Sequence, residues 1–393
     1  MKTIRIIIYL LLVGLSTSGQ TIEDLTFGTD TTFEVMSWNI EWFPKNGQVT
    51  VDHVIDIIEA LDVDLIAIQE VDDVTEFEQM MENMISYDGY LESAWFAGLA
   101  YIYKPDIIQI NDIYEIYTTS QYWSPFPRSP MVMDLNYENE RIIVINNHFK
   151  CCGDEILDLT NPDDEETRRY YASNLLKEYI DIHFPNENVI VLGDLNDILS
   201  DSPQNNVFQL IIDDVENYLF TDYEIATGDN SEWSYPTWPS HLDHILISNE
   251  LFDDFENNSS VISTIKIDEY LTGGWWEYDE NISDHRPVAL KLDMNSNTGL
   301  TDITLTTPYF SNYPNPFDSK TTFSLKFPND SMNIEILNMQ GQRVFSEKIP
   351  VGETSIIWNA EESPNGVYLA KLKSKNNVLA TLKLMLINRI GYR

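Results

Sequence analysis

Apolar and polar residues alternate with two different periodicities along residues 21–300. Short apolar runs and period-two alternation predict buried strands, whereas apolar positions three and four residues apart predict amphipathic helices. The predicted strands are Phe33–Ile40, Leu65–Ile68, Arg141–His148, Val189–Leu192, Asp243–Ser248 and Pro287–Leu292. The predicted helices are Thr50–Asp62 and a segment marked by Tyr171, Leu175, Leu176 and Tyr179. This mixed order indicates sheets covered by helices, an α/β layered domain.

A different pattern begins near residue 305. Short β-prone segments recur there and are separated by Gly, Pro and Asn, which is typical of a small all-β sandwich. The charge changes at the same place. Residues 301–393 hold 10 of the 23 basic and 8 of the 64 acidic residues, which leaves 13 and 56 to the first 300. The polar segment 294–304 predicts a linker, so we expect domains at 21–293 and 305–393.

The first 20 residues have the features of a signal peptide. Lys2 and Arg5 precede an apolar run that ends at Leu15, and small residues follow. A basic start, a short apolar run and a small-residue exit are typical of secretory signals. The run is about half of the roughly 20 residues that span a membrane, and no later segment is long and apolar enough to do so. We expect an exported protein; an ordinary buried strand or helix is the alternative.

Cys151 and Cys152 are the two cysteines of the chain, so the protein is not a disulfide scaffold. Adjacent Cα atoms lie about 3.8 Å apart, below the usual disulfide range of about 4.4–6.8 Å. A bond between them would be strained. We therefore favour local packing or a stiffened turn over redox chemistry or binding of a soft metal.

Polar and ionisable residues stand at the ends of the predicted strands, where loops expose them. Because side chains alternate along a strand, Asp194 and Asn196 leave on the same face. A carboxylate beside an amide suits a water and a phosphate oxygen, since one accepts a proton or binds a cation and the other donates hydrogen bonds. The complete set of motifs is Trp38-Asn39, Gln69-Glu70, Asn147-His148, Gly193-Asp194-Leu195-Asn196, Leu242-Asp243-His244-Ile245 and Ser283-Asp284-His285-Arg286.

Two further histidines need separate interpretation. His244 has opposite strand parity to Asp243, so we expect it to point away from whatever Asp243 faces. His241 lies just before this strand and either lines a site or caps the loop; we favour the loop.

Each motif alone is typical of turn chemistry, but together and in this order they resemble the endonuclease/exonuclease/phosphatase superfamily, which includes pancreatic deoxyribonuclease. The resemblance runs from residue 33 to residue 292. It implies a four-layered α/β sandwich, in which two packed sheets are flanked by helices, and metal-dependent hydrolysis of a phosphoester. A scaffold with coincidental polar residues at its strand ends is the alternative.

The resemblance implies a metal site. Glu70 would be the principal ligand, with Asn39 beside it and Asp284 near. Hard oxygen ligands suit Mg²⁺, with Mn²⁺ or Ca²⁺ as alternatives. Such a cation neutralises the phosphate and helps the leaving group to depart.

The resemblance also implies catalytic roles. Asp194 would orient or deprotonate the attacking water, and Asn196 would hold a phosphate oxygen. His148 and His285 would contact the phosphoryl oxygens or act as general acid and base. Asp243 would fix the tautomer of His285.

Secondary candidates surround this set. Glu41 shares the strand parity of Asn39, the expected metal ligand on the first strand, so it could reach the same pocket. Arg128 and Lys150 could bind phosphate, although a plain solvated charge is an equal alternative for both. Some family members pair the first histidine with a carboxylate; for His148 the candidate is Glu92.

The carboxy-terminal segment contains Tyr313-Pro314-Asn315-Pro316-Phe317 and ends with Gly366-Val367-Tyr368. This pattern is similar to the type IX secretion sorting domain of Bacteroidetes. It implies handling by the type IX machinery and export across the outer membrane, followed by release or attachment to the cell surface. An ordinary carbohydrate- or protein-binding sandwich is the alternative.

The leading hypothesis is a secreted, Mg²⁺-dependent nuclease acting on DNA or RNA. The net charge of −41 excludes a broad basic groove and repels a polyanion at long range. Long-range repulsion would hinder the substrate of a phosphatase or of a sphingomyelinase-like phospholipid phosphodiesterase less. Residues 273–276 (Gly-Gly-Trp-Trp) could form an apolar lip for a lipid. A catalytically silent surface-binding module is the third hypothesis. The oligomeric state is left open.

Overall fold

The computed structural model describes residues 20–92, 97–294, 310–315, 317, 319–325, 332–338, 341–350, 355–360, 363–374 and 377–386. The chain divides into two compact units, residues 1–299 and 300–393. The expected signal peptide, apart from its last residue, and most of the expected linker lie outside the described residues.

Twelve strands can be followed in the described part of the first unit. In chain order they are β1 (Phe33–Phe43), β2 (Leu65–Val71), β3 (Asp88–Leu91), β4 (Gly98–Tyr103), β5 (Gln109–Glu115), β6 (Met131–Tyr137), β7 (Glu140–His148), β8 (Asn188–Asp194), β9 (Tyr218–Phe220), β10 (Asp243–Ser248), β11 (Val261–Thr264) and β12 (Val288–Leu292). They form two six-stranded sheets, with the orders β11-β12-β1-β2-β4-β3 and β5-β6-β7-β8-β10-β9.

Helices cover the outer faces of both sheets. They are α1 (Gln48–Leu61), α2 (Val74–Asn83), α3 (Glu165–His183) and the shorter α4 (Gln209–Ile212), α5 (Tyr223–Ala226), α6 (Phe252–Phe255) and α7 (Trp275–Asn281). Side-chain alternation gives β1 two buried faces: Phe33 and Val35 lie in the core between the sheets, and Met36 and Trp38 lie in the core that α1 covers. A third core joins the second sheet to α3. The expected four-layered α/β sandwich is therefore confirmed.

The predicted elements of the core are all present, and the observed strands extend up to three residues beyond the predicted ends. The sequence analysis does not predict β3, β4, β5, β6, β9 or β11. β4 and β6 are interior and mostly buried strands whose apolar residues were not recognised. The other four lie at sheet edges, and β5 is largely exposed. Because an edge strand buries little apolar surface, it lacks the apolar run that marks the central strands.

In the described residues of the second unit, the regular elements are all strands. They are β13 (Phe310–Tyr313), β14 (Lys320–Leu325), β15 (Met332–Asn338), β16 (Arg343–Ile349), β17 (Ser355–Asn359), β18 (Gly366–Ser374) and β19 (Asn377–Leu386). They form a three-stranded sheet, β13-β14-β17, and a four-stranded sheet, β16-β15-β18-β19. Phe323 and Trp358 of the first sheet share one core with Ile334 and Leu372 of the second. This is the expected all-β architecture.

Among the described residues, no helix has both the length and the apolar character needed to cross a bilayer.

Candidate active site

Strand pairing brings the strand-end residues to one edge of the two sheets. β1 and β2 run parallel, with Asn39 opposite Gln69, so Glu70 follows at the same end. In the second sheet, β7 and β8 also run parallel, and His148 lies opposite Asp194. Asp243 opens the antiparallel β10 opposite Asp194. Parallel strands end at the same sheet edge, and an antiparallel neighbour begins there.

Asn39 joins the two sheets at the centre of this site. Its Nδ2 donates to Asp194 Oδ2 at 3.0 Å and to Glu70 Oε1 at 3.1 Å. His148 Nε2 lies 3.4 Å from the same Asp194 oxygen and 3.8 Å from the same Glu70 oxygen. Its Nδ1 is buried and has no hydrogen-bond partner. The geometry therefore assigns the neutral Nε2–H tautomer to His148, because an orphaned lone pair costs less than an orphaned N–H.

His285 faces the same carboxylate from the other side. Its Nδ1 lies 2.7 Å from Asp243 Oδ2, which places a proton on Nδ1. Its Nε2 lies 3.8 Å from Asp194 Oδ2 and 3.9 Å from Asp284 Oδ1. The ring packs against Tyr235 with centroids 4.8 Å apart. Asp243 thus holds the ring, and Nε2 points to the reacting groups.

Burial sets the protonation of these groups. Burial, followed by the charges of Arg128 and His285, holds the pKa of His148 well below its ordinary value. Burial also opposes charge on His285, but the carboxylates of Asp243 and Asp194 outweigh it and keep the pKa of His285 well above its ordinary value. Burial raises the pKa of Asp194 to about 7. The two histidines are therefore in opposite charge states near neutral pH, an arrangement suited to distinct proton-transfer roles.

The backbone at the site adopts conformations that are rare for residues with side chains. Glu70 has φ 67° and Asn196 has φ 54°. Local hydrogen bonds hold both residues: Trp42 N donates to Glu70 Oε2 at 3.1 Å, and Asn196 N donates to Asp194 Oδ1 at 3.1 Å. Such backbone strain persists only where the surrounding contacts hold the residue in place, and it occurs preferentially at functional sites.

Gly193 allows the two strands to meet. Its φ is 146°, and a Cβ at this position would lie 1.9 Å from the carbonyl oxygen of Asn147 on β7. Only glycine fits, so Asp194 can lie beside His148.

These residues line a cavity of about 550 Å³ that is rich in carboxylates. Its acidic lining residues are Glu41, Glu70, Glu155, Glu166, Asp194, Asp197 and Asp284. Arg169 also lines it, but its guanidinium lies 3.2 Å from Glu166 and 2.7 Å from Asp197. Glu70, Asp194 and Asp284 lie within ion-pair distance of histidines, and Arg128 also interacts electrostatically with Glu70 and Asp194. The acidic lining residues outnumber these cations, and hard oxygen donors of this kind fit a divalent cation such as Mg²⁺.

One buried titratable group at the site differs from the ligand set that the resemblance implies. Ligand atoms of Asp194, Asp243 and His285 lie within 4.8 Å of one another, and all three residues are buried. Asp243 Oδ1 is buried and has no hydrogen-bond partner. Asn39, Glu70 and Asp284 lie around this group.

The secondary candidates have different surroundings. Glu41 lines the cavity, pairs with Lys45 and accepts a hydrogen bond from Asp284 N at 2.9 Å, so it positions the Asp284 loop. Burial lowers the pKa of Arg128, against the carboxylates of Glu70 and Asp194. The expectation for Lys150 is not supported, since its Nζ donates to the carbonyl of its neighbour Cys151 at 2.9 Å.

Glu92 is not the partner of His148. Its Oε2 accepts a hydrogen bond from the hydroxyl of Tyr90 at 2.6 Å, whereas His148 Nδ1 has no partner. Residues 93–96, which follow Glu92, lie outside the described part of the chain.

Cys151 and Cys152 are both free and exposed, and both line the cavity. Their sulfur atoms lie 2.9 Å apart. This arrangement agrees with local packing in a tight turn.

Behind the site, a buried network appears that the sequence analysis missed. Asp222 Oδ2 lies 3.1 Å from His241 Nε2 and 2.6 Å from His244 Nδ1. His244 Nε2 lies 2.8 Å from the carbonyl oxygen of Asp197. His244 points away from Asp243, as strand alternation predicts. His241 is buried, and its Nδ1 accepts from Ser234 N at 3.2 Å, which agrees with the favoured role of capping the loop. The sequence offered no signal for Asp222, which lies between two short elements, β9 and α5.

His244 is therefore held as a cation. A carbonyl and a carboxylate accept from its two nitrogens, so both carry protons. Burial would lower the pKa of His244, but Asp222 outweighs burial and raises it. The histidine charges likewise outweigh burial and lower the pKa of Asp222. This buried ion pair supports the Asp197 carbonyl, three residues after Asp194.

We expect His244→Gln to destabilise the first unit by about 3–5 kcal/mol at pH 6, because it leaves Asp222 as an uncompensated buried charge. The folded-state pKa of His244 is raised, so its stabilisation is complete below about pH 6.5 and declines as the pH rises through that higher value. Urea unfolding at several pH values measures the difference between wild type and variant. His53→Gln on α1 is the control. A difference that does not shrink at alkaline pH would contradict the assignment.

Comparison with known proteins identifies the class. Residues 36–285 match the Endonuclease/Exonuclease/phosphatase family, which is more than half of the chain, so the chain belongs to this family. Its members are generally phosphoesterases that depend on divalent metals. Residues 311–388 match the secretion system C-terminal sorting domain. This type IX domain indicates secretion or display at the cell surface.

One solved structure supports the fold, and two others are similar to the chain at lower TM-scores. D. rerio TDP2 complexed with single strand DNA product has a TM-score of 0.51 and 14% identity, over 67% of this chain and 99% of that one. A Bacteroides vulgatus endonuclease/exonuclease/phosphatase has a TM-score of 0.48 and 14% identity, over 67% and 98%. A Bacteroides thetaiotaomicron mannosyl-6-phosphatase has 0.45 and 15%, over 66% and 99%. At this identity the likeness shows the fold alone. The sequence matches no curated protein sequence.

Proposed function

We propose that residues 21–293 form a secreted, divalent-metal-dependent phosphodiesterase that cleaves DNA or RNA, and that residues 305–393 serve its export. The observation that carries the proposal is the convergence of Glu70, Asp194 and His285, from three distant parts of the sequence, in one acidic cavity. The two compact units and the two matched segments support the domain boundaries.

Glu70, Asn39 and Asp284 would hold the cation, with Mg²⁺ proposed as the physiological ion. Bound there, it would neutralise the scissile phosphate and stabilise charge on the departing oxygen. The backbone N–H of Trp42 and the side-chain amide of Asn39 hold the two oxygens of Glu70 in place.

Asp194 is proposed as the general base. Its Oδ2 lies at the centre of the site, and Asn39 donates to that oxygen. A carboxyl whose pKa lies near the working pH is an effective proton acceptor. Asn196 lines the same cavity and presents its amide to a phosphate oxygen.

His285 is proposed as the proton donor to the leaving oxygen. Asp243 fixes its Nδ1–H, so Nε2–H is directed into the cavity. The neutral His148 donates from Nε2 and orients a phosphoryl oxygen or the carboxylates. Proton transfer by one positioned group contributes about 10²–10⁴-fold.

Exposed aromatic rings favour a nucleic acid strand as the substrate. Trp42 lines the cavity and is 54% exposed, and the half-buried Trp233 and Tyr235 line it too. Trp238, close by in sequence, is 74% exposed. Bases stack on such rings without sequence preference. Of the Trp275–Trp276 lip, Trp276 is also 74% exposed, whereas Trp275 packs on Tyr278. Neither residue lines the described cavity, and the lipid alternative is kept for the test below.

A second candidate is a small phosphoester, including a phosphomonoester. The acidic lining of the cavity favours it, because a substrate of low charge suffers less long-range repulsion from carboxylates.

The full chain tests these alternatives with single-stranded DNA, duplex DNA, RNA, a phosphomonoester, a synthetic monoanionic phosphodiester and sphingomyelin, with Mg²⁺ and with chelator. We expect oligonucleotide cleavage that chelator abolishes. Because the enzyme and the strand are both anionic, kcat/KM for the oligonucleotide should rise, roughly tenfold, between about 10 mM and 150 mM ionic strength. The monoanionic diester should change little. Turnover of monoesters or lipid without cleavage of nucleic acid would replace the nuclease proposal.

A further inference from the structure

The loop between β7 and α3 is the most acidic part of the site region. Residues 154–166 contain seven carboxylates and no Lys or Arg: Asp154, Glu155, Asp158, Asp163, Asp164, Glu165 and Glu166. Asp164 has one local role, because it caps α3 by accepting from Thr167 N at 2.9 Å. That hydrogen bond does not explain why Asp164 converges with two other carboxylates of this segment.

Three of the carboxylates converge although they lie in different environments. Oxygen atoms of Asp154, Asp164 and Glu166 lie within 4.8 Å of one another. Asp154 is exposed in the loop, Asp164 is the N-cap of α3, and Glu166 is in the first turn of the helix. Like charges at this separation disfavour one another unless a cation lies between them.

Glu166 supplies an independent observation. The residue is 1% exposed, and its Oε2 is buried without a hydrogen-bond partner. Its Oε1 is satisfied, because it accepts from Glu155 N at 2.8 Å and lies 3.2 Å from the Arg169 guanidinium. A buried carboxylate oxygen without a partner is costly. One oxygen of Glu166 lies in the acidic cluster, and Oε2 of this carboxylate has no partner among the described residues, so it can accept a further positive partner.

The backbone of the loop comes close to this oxygen. Gly153 has φ 119°, and a Cβ there would lie 2.6 Å from Glu166 Oε2. Glycine lets the main chain pass close to the carboxylate.

We propose that Asp154, Asp164 and Glu166 form a second cation site, which takes Ca²⁺ and orders the loop. Ca²⁺ accepts six to eight oxygen ligands in irregular geometry, whereas Mg²⁺ demands a near-ideal octahedron and keeps several waters. The three ligands are not those of the proposed catalytic metal. Arg169 pairs with Glu166 and with Asp197, and neither carboxylate belongs to the proposed catalytic ligand set.

The site links ion binding to the shape of the cavity. Arg169 also donates to the carbonyl oxygens of Lys150 at 2.8 Å and Cys152 at 2.6 Å. Cys152, Gly153 and Glu155 line the cavity. Ca²⁺ at the loop should therefore stabilise the fold and lower KM, with little effect on kcat.

The test uses the full chain in saturating Mg²⁺ and adds CaCl₂ while thermal unfolding is followed. An ion that binds only the folded state raises Tm, here by roughly 5 °C at about 100 times its Kd. Calorimetry in the same buffer gives the stoichiometry. The variants are Asp154→Asn, which changes an exposed loop residue, and Glu166→Gln, which keeps the side-chain shape. Asp56→Asn on the exposed face of α1 is the matched control.

We expect each loop variant to raise the Ca²⁺ concentration for half-maximal Tm shift at least tenfold, and the control to match wild type. Proteolysis within 151–164 should slow with Ca²⁺ in wild type only. A wild-type Ca²⁺ response in both loop variants would overturn the proposal, and so would the absence of any response in wild type. Since these readouts do not require turnover, they distinguish failure of this site from failure of the proposed phosphodiesterase activity.

Discussion

Glu70→Gln is expected to lower kcat for phosphodiester cleavage about 10³-fold and to raise the Mg²⁺ concentration needed for half-maximal activity. The glutamine keeps the size of the side chain but loses the charge of the principal metal ligand. Metal stabilisation of the transition state contributes several kcal/mol, and each 1.36 kcal/mol corresponds to about a factor of ten. Steady-state kinetics over a Mg²⁺ titration measures both effects.

Glu82→Gln, on the exposed face of α2, is the matched control and should behave like wild type. Part of the lost activity should return at high Mg²⁺, because the other oxygen ligands remain. If Glu70→Gln kept the wild-type kcat and Mg²⁺ requirement, Glu70 would not be a metal ligand.

Asp243→Asn is expected to lower kcat by about 10²–10⁴-fold with a small change in KM, the range of one general acid or base. Asp243 is fully buried and bonds His285 Nδ1 at 2.7 Å. Its charge outweighs burial and raises the pKa of His285. Without it, burial favours the neutral ring, so fewer molecules carry a proton on Nε2 at neutral pH. The alkaline limb of the pH–rate profile should therefore move to lower pH.

Asp279→Asn is the control, since Asp279 is a partly exposed carboxylate near the same loop and pairs with Lys45 at 3.8 Å. Thermal unfolding of both variants should separate a catalytic effect from a loss of fold. If the Asp243→Asn variant kept the wild-type kcat and an unchanged pH–rate profile, His285 would not be the proposed proton donor.

Much of the fold could be predicted because its central strands bury both faces. Such strands appear as apolar runs, and their polar ends mark the loops that carry the chemistry. The strand Asp243–Ser248 was predicted with its observed bounds. The edge strands could not be predicted, since β5 (QINDIYE) is mostly exposed and carries no apolar run.

Side-chain direction was the less predictable part of the site. Strand alternation predicted that His244 turns away from Asp243, because parity is a local property. Parity could not show that the carboxylate of Asp222 lies on the side to which His244 points. Likewise, proximity in sequence suggested Lys150 as a phosphate ligand, but its ammonium turns back along its own loop.

The amino-acid sequence by itself determined the class of chemistry and the architecture, because residue types at strand ends and the period of apolar positions are local features. Only the tertiary structure decided which atoms face one another. Asn39 bridges Glu70 and Asp194 across two sheets, and an orphaned oxygen of Glu166 marks a second acidic cluster. Such contacts depend on strand register and sheet packing, which couple residues that are far apart along the chain.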